Sequence, residues 1–387
     1  MKHRVLSILA ALALGLTACG GAESAAEPPP EDAAPAMAEA GSPPLPDAAE
    51  APAPDFDAAY GAYPPDTVVM TVDGSPVEWE IYFGALSQRA KFFWLSYGMG
   101  DYSAALDEDG RSVGDWIREQ TEVDLRSMAM FRRWAEELGL GLSEEDEAAV
   151  DAEIRDYAEA WYGGDTAAMF EDLGASEAFT RYQGSYARLN DLVFAHFFGE
   201  HGALLSDEDA VAYAEDNGYV HAKRILFRSI DDMGRQLPDK EKLARRSEAE
   251  EALAELRAGP PETLAQRFDA MMRARSQDQG LSAYPDGYYF REGEIDAMYA
   301  ATLALEEGEL SGVVDCDYGY QLILRLPMDP EEVFETEESS GEVYTLRSWA
   351  AAMLFNAMAE ERYEASTVEY ASGFEDLDVA ALFAPKQ

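Results

Sequence analysis

Tyr219-Val220-His221-Ala222-Lys223-Arg224-Ile225-Leu226-Phe227-Arg228 has the composition of a half-buried β-strand, with apolar and polar side chains interleaved over a strand's length. C-terminal to it, Lys240 to Arg257 reads as a helix, Gly259-Pro260-Pro261 as a break, and Glu262 to Met272 as a second helix. A loop follows, then a short strand (Tyr288 to Phe290), a small helix (Ile295 to Ala304), and strands Ser311 to Asp315 and Tyr318 to Leu326 joined by a tight turn near Asp317. A last amphipathic helix, about Leu346 to Tyr363, carries Trp349, Met353, Leu354 and Met358 as its apolar residues.

N-terminal to the central strand the chain is mostly helical. Helices are expected at about Val113 to Leu138, Glu144 to Trp161, Glu177 to Phe198 and Asp207 to Glu215, with Ser143, Ser176 and Ser206 as caps and Gly139 and Gly163 as stops. Asp66 to Val72 reads as a short strand and Asp73-Gly74 as its turn. Ser75-Pro76-Val77-Glu78 has the pattern of a capping box with Pro at the first helical position, opening a helix to about Tyr97. Further upstream, Lys2 and Arg4 precede an apolar run, Val5 to Leu16, that is too short for a membrane span and has the form of a signal peptide. It ends in Leu16-Thr17-Ala18-Cys19-Gly20, which resembles the lipobox of bacterial lipoproteins and implies lipidation and a new N-terminus at Cys19. From there to Pro65 the Ala, Pro, Glu and Asp composition predicts a disordered tether.

Composition narrows the function. The chain has 387 residues with 76 acidic against 29 basic, a formal charge of −47, which excludes a nucleic-acid binder because phosphate recognition needs clustered Lys and Arg. Hydrophobic residues at 47% are enough for a sizeable folded core. Two cysteines, Cys19 and Cys316, provide no disulfide framework, and four histidines make a His/Cys metal site improbable, so no metal and no cofactor are expected. The sequence contains no nucleophile elbow, no His-Glu-x-x-His, no Walker loop and no dinucleotide fingerprint. Asp107-Glu108-Asp109-Gly110 resembles part of an EF-hand loop, but Ala105 and Trp116 stand at the first and twelfth ligand positions, so a turn is expected. His196 and His201 are expected to pack or to face solvent.

The order of motifs is similar to that of PrsA/SurA-like foldases with a parvulin-type peptidyl-prolyl isomerase domain. Asp73-Gly74-Ser75-Pro76-Val77 resembles the opening of their N-terminal domain, and Leu205-Ser206-Asp207-Glu208-Asp209 followed by Tyr219 to Leu226 resembles their entry into the isomerase domain. Arg275-Ser276-Gln277-Asp278, Gly287 to Gly293, and Leu305 to Ser311 with Tyr318-Gly319-Tyr320 follow in the same order. The resemblance implies an α+β chain: signal peptide 1–18, tether 19–65, helical chaperone domain 66–217, an inserted parvulin-like βα3βαβ2 domain 218–328, and a C-terminal segment 329–387 whose helix packs on the chaperone domain.

It also implies a site and partners. His221, Asp278, Cys316 and Gln321 match the polar positions, and Phe290, Ile295 and either Met298 or Tyr299 the apolar wall for a proline ring. Three features depart from the pattern: Cys316 stands where Thr or Ser is usual, Gln321 where the second histidine is usual, and Tyr284-Pro285-Asp286-Gly287 where a Gly-Gly-Asp-Leu-Gly loop is usual. Cys316 fills a serine's space and Gln321 hydrogen-bonds, but Gln321 does not titrate. Rotation about X–Pro faces a barrier of roughly 18–20 kcal/mol, and its catalysis needs a shaped apolar pocket with a few polar groups, not a metal or a nucleophile. The implied function is a membrane-tethered, extracytoplasmic prolyl isomerase acting on newly exported, unfolded polypeptides. The alternative is a holdase whose isomerase domain is degenerate. A third class, a solute-binding lipoprotein, calls for repeated βα units that the helical N-terminal half lacks.

Overall fold

The computed structural model describes residues 54–106, 110–336, 341 and 343–384. Cys19, the signal peptide, most of the tether and the Asp107–Asp109 turn lie outside the described residues. In chain order the elements are α1 (Phe56–Tyr60), β1 (Val68–Val72), β2 (Ser75–Glu78), α2 (Trp79–Tyr97), α3 (Val113–Glu137), α4 (Glu144–Tyr162), α5 (Thr166–Leu173), α6 (Glu177–Phe198), α7 (Asp207–Asp216), β3 (Val220–Arg228), α8 (Asp239–Ala258), α9 (Leu264–Arg275), β4 (Tyr288–Phe290), α10 (Asp296–Leu303), β5 (Val314–Cys316), β6 (Gly319–Leu326), β7 (Val333–Thr336), β8 (Val343–Thr345), α11 (Leu346–Ala365), β9 (Val368–Tyr370) and α12 (Val379–Leu382). The fold is α+β, and the described residues divide into two compact units: those up to Phe197 with those from Asn356 on, and Phe198–Phe355.

In the first unit, β1 pairs antiparallel with both β2 and β9 in the order β2-β1-β9. Asp73 and Gly74 both have positive φ (48° and 81°), the requirement of a tight primed hairpin turn. Ser75 to Glu78 is therefore a strand and not the capping box its pattern suggested; the helix opens at Trp79 after Glu78, which makes no side-chain cap. Pro76 is tolerated because β2 is an edge strand. Capping boxes at Ser112/Asp115 and Ser143/Asp146 open α3 and α4, the second at a serine expected to cap.

Trp79 is fully buried, stacked on Tyr82 and edge-on to Tyr63 and Phe374. From α3, Arg126 donates to Ser366 Oγ (2.8 Å) and to the Tyr363 (2.6 Å) and Ser366 (3.0 Å) carbonyls, and lies over the Tyr363 ring. Residues 54–65, read from sequence as the end of the tether, carry α1, capped by Asp55, with Phe56 packed edge-on to Phe383. The aromatic spacing of Phe56, Tyr60 and Tyr63 was the signal for this, masked by the surrounding Ala and Pro. Helices α5 and α12 and strands β7, β8 and β9 are short, and the sequence reading did not anticipate them.

In the second unit, four antiparallel strands form a sheet in the order β4-β3-β6-β5. The run 220–328 is β-α-α-β-α-β-β, and the third of the three expected helices before β4 is only a 3-10 turn, Gln279–Ser282. On one face, Ile225, Phe227, Leu322 and Leu324 pack under α8 and α9 with Ala249, Ala252, Leu256, Phe268 and Met272. On the other, Val220, Ala222, Ile323 and Phe290 pack under Met298 of α10. Both faces are covered, so the polar residues interleaved in β3, His221, Lys223 and Arg224, are largely buried. A third cluster joins Phe334, stacked on Trp349 at 4.1 Å, to Tyr219 and Leu346.

Candidate functional site

Register sets which side chains share a face, because directly opposed residues in an antiparallel ladder point the same way and neighbours along a strand alternate. Strand β3 runs opposite β6 with His221 against Leu326, Arg224 against Ile323 and Leu226 against Gln321. Val314 opposes Gln321, and Phe290 opposes Val220. Gln321, Arg224, Phe290, Val314 and, two residues beyond it, Cys316 thus belong to the α10 face. Met298 is part of that apolar cluster, and Ile295 and Tyr299 pack against it.

Asp278 is brought to the same face by the loop after α9. That loop docks on β3 through Gln277 N–H to the Leu226 carbonyl (2.8 Å), Leu226 N–H to Ser276 Oγ (3.1 Å) and Arg228 N–H to Gln277 Oε1 (2.8 Å). Asp278 then receives a bidentate pair from Arg224, Nε at 2.7 Å and Nη2 at 2.9 Å, and a hydrogen bond from Tyr288 Oη at 2.8 Å. Its own Gly280 N–H closes the turn at 3.2 Å. The side chains of Arg224 and Asp278 are 12% and 4% exposed, so the pair is largely withdrawn from water. Burial opposes the charge on Asp278, but Arg224 and the Tyr288 and Gly280 hydrogen bonds outweigh it and hold the carboxyl below its usual range. Burial and Asp278 together push the Tyr288 phenol up.

Gln321 is fully buried, and neither its Oε1 nor its Nε2 has a partner in the protein. Phe290 and Met298 are also closed to solvent, so they are the floor of this face, and the half-buried Tyr288, Ile295, Tyr299 and Val314 are its partly accessible residues. Cys316 is the free thiol among the described residues, half-buried on β5.

His221 does not join them. Its side chain points to the opposite face, 2% exposed, stacked on Tyr289 at 4.1 Å and 8°. Its Nδ1 hydrogen-bonds the Pro327 carbonyl (2.8 Å), and its Nε2 lies 3.3 Å from Glu332 Oε2. Burial lowers the pKa of His221, and burial with Asp329 nearby raises that of Glu332. Both shifts favour the uncharged forms and so disfavour an ion pair here. Arg224 is the polar residue on β3 that the sequence reading missed. The signal for it was a cation inside an apolar strand together with a lone Asp in the loop beside it.

No group of metal-ligating side chains and no helix long and apolar enough to cross a membrane occurs among the described residues. In the first unit, a cavity of about 870 Å³ is walled by Phe56, Tyr60, Phe83, Trp94 and Phe170, with Asp55, Asp57 and Glu171 also lining it.

The chain is similar to solved structures of foldases and chaperones. Foldase PrsA from Bacillus subtilis is 20% identical over 68% of this chain and 91% of its own, with a TM-score of 0.26. PrsA from Lactococcus lactis is 15% identical, covering 82% and 98%, with a TM-score of 0.29. A SurA-like chaperone from Campylobacter jejuni is 12% identical, covering 79% and 99%, with a TM-score of 0.24. No family model and no curated protein matches the chain. At these identities and TM-scores the likeness lends the chain no function, which has to come from its own side chains.

Proposed function

We propose that the chain is an extracytoplasmic foldase that holds unfolded exported polypeptides and isomerises their X–Pro bonds on the α10 face of the four-stranded sheet, tethered to a bacterial membrane through a lipid on Cys19. In this reading residues 66–217 and the C-terminal helix serve as the chaperone domain and 218–328 as the isomerase domain. The observation that supports it most is convergence: Asp278, Gln321, Cys316, Phe290, Ile295, Met298 and Tyr299, dispersed over 44 positions of sequence, lie on one face of one sheet. That face combines an apolar floor with a polar edge, which is what a proline ring and its imide require. In a protease-coupled assay on a prolyl peptide the full chain is expected to exceed the buffer rate; a rate equal to buffer sinks the isomerase reading.

A holdase reading is favoured by the aromatic cavity of the first unit, which has the size and lining of a site for large apolar side chains. Its acidic lining residues and the charge of −47 select clients with basic residues beside the apolar ones. Suppression of aggregation of a Pro-free cationic client is expected, weakening as salt rises; salt-independent binding contradicts that selectivity.

A further inference from the structure

We propose that Arg224 is the catalytic hydrogen-bond donor of the isomerase face, presenting Nη1 to the prolyl imide nitrogen of a bound peptide while Asp278 and Tyr288 fix its orientation. This rests on the isomerase reading above. In a planar imide the nitrogen lone pair is delocalised into the carbonyl, and in the twisted form it is localised and accepts a hydrogen bond. A donor aimed at that nitrogen therefore acts on the transition state and not on either ground state, which is the condition for raising kcat.

The geometry supplies such a donor. Asp278 takes Nε and Nη2 of Arg224 in a bidentate pair, which leaves the Nη1 donors outside that pair. The guanidinium lies over the Tyr288 ring, 5.3 Å from its centroid, and Tyr288 Oη in turn bonds Asp278, so three side chains from β3, β4 and the loop after α9 lock one another. Arg224 remains partly open to solvent, 12% by side chain, whereas of the other polar side chains of this face on the central strands Gln321 is sealed, Arg325 donates to the Leu305 carbonyl, and Arg228 donates to Asp232 and the Asp231 carbonyl. The remaining polar side chain near it, the Cys316 thiol, is too weak a donor to replace it. Asp278 and Tyr288 are positioning residues, since they act through Arg224. No proton is transferred and no covalent bond forms or breaks.

The test is kinetic, on the full chain with a proline-containing tetrapeptide. Arg224→Gln is expected to lower kcat by roughly 30-fold, the worth of one charge-assisted hydrogen bond, with KM little changed. Methylguanidinium is expected to restore part of the rate to Arg224→Ala, which a purely structural role of the side chain does not predict. Asp278→Asn leaves the donor but loosens it, and a smaller fall in kcat is expected. In the unaltered chain, the Arg224 side-chain N–H resonances are expected to shift on saturation with the peptide. If the unaltered chain is inactive, the isomerase reading falls and this role with it. If it is active and Arg224→Gln keeps its kcat, or the Arg224 resonances do not move with bound peptide, the role of Arg224 alone is overturned.

Discussion

The two faces of β3 treat charge in opposite ways. On the α10 face Arg224 and Asp278 are buried together and stay ionised, because the bidentate geometry and the Tyr288 hydrogen bond offset their desolvation. On the other face His221 and Glu332 lie 3.3 Å apart, longer than the Arg224–Asp278 contacts, and both are driven toward neutrality. The difference is in the hydrogen bonding of the anion: Asp278 has an arginine fork, a phenol and a backbone N–H, while Glu332 has Tyr289 Oη at 3.3 Å and the repulsion of Asp329. The α10 face therefore holds its charges, and the His221 face disfavours them.

The largest expected effect comes from the floor of the α10 face. Phe290, 1% exposed, packs among Val220, Ala222, Met298 and Ile323, and Phe290→Ala is expected to destabilise the second unit by about 3–5 kcal/mol in chemical denaturation. A loss under about 1 kcal/mol means this face is not a packed core. Next, Asp278→Ala leaves the Arg224 guanidinium buried without its partner and is expected to cost about 3 kcal/mol. Glu332→Gln, on the opposite face, removes a carboxyl that is already driven toward neutrality and is expected to cost less than about 1 kcal/mol. Equal losses for the two variants remove the contrast between the faces. Gln321→Leu replaces an amide with no partner by an apolar side chain of similar size, and is expected to stabilise by about 1 kcal/mol. Destabilisation instead shows that the amide is satisfied, for example by an enclosed water.

Much of this was legible in the sequence, for identifiable reasons. Ser143, Ser176 and Ser206 were expected as caps, and each accepts from the backbone N–H three residues on; the runs Val220–Arg228 and Gly319–Leu326 were expected as strands and pair with each other. Ser75-Pro76-Val77-Glu78 carries a helix-start pattern that lost to the pairing of Ser75 with Val72 and Val77 with Met70, a tertiary constraint invisible locally. Asp278, Gln321 and Cys316, singled out by motif order, lie on one face of the sheet. His221 was misplaced because it was chosen by residue type. It and Arg224 are three positions apart, an odd offset, so on a strand they face opposite ways, and with both faces buried nothing in the local composition says which one leads to the site.

The smallest effect separates the faces by pH. The folded pKa of His221 is depressed below 6.5, chiefly by burial, with Lys223 adding to it and the Pro327 and Asp286 carbonyls opposing it. The unfolded chain therefore binds the imidazole proton first. Stability contributed by neutral His221 is complete above pH 6.5 and is lost as pH falls from there through the folded value, at no more than about 1.4 kcal/mol per pH unit. Glu332, beside it, runs the other way: its folded pKa is raised above 4.5, so its contribution is present below 4.5 and is lost as pH rises through the folded value. Asp278, depressed below 3.8, stabilises above 3.8 and yields only under stronger acid. Between pH 7 and 5.5 the His221 contribution is thus expected to fall, with Glu332 opposing it, while the Asp278 contribution stays constant. Thermal unfolding of the chain across that range should show a falling Tm that flattens in His221→Gln, with the kcat of the isomerase unchanged in the variant. A variant that keeps the full slope, or loses its kcat, puts His221 back on the working side of the sheet.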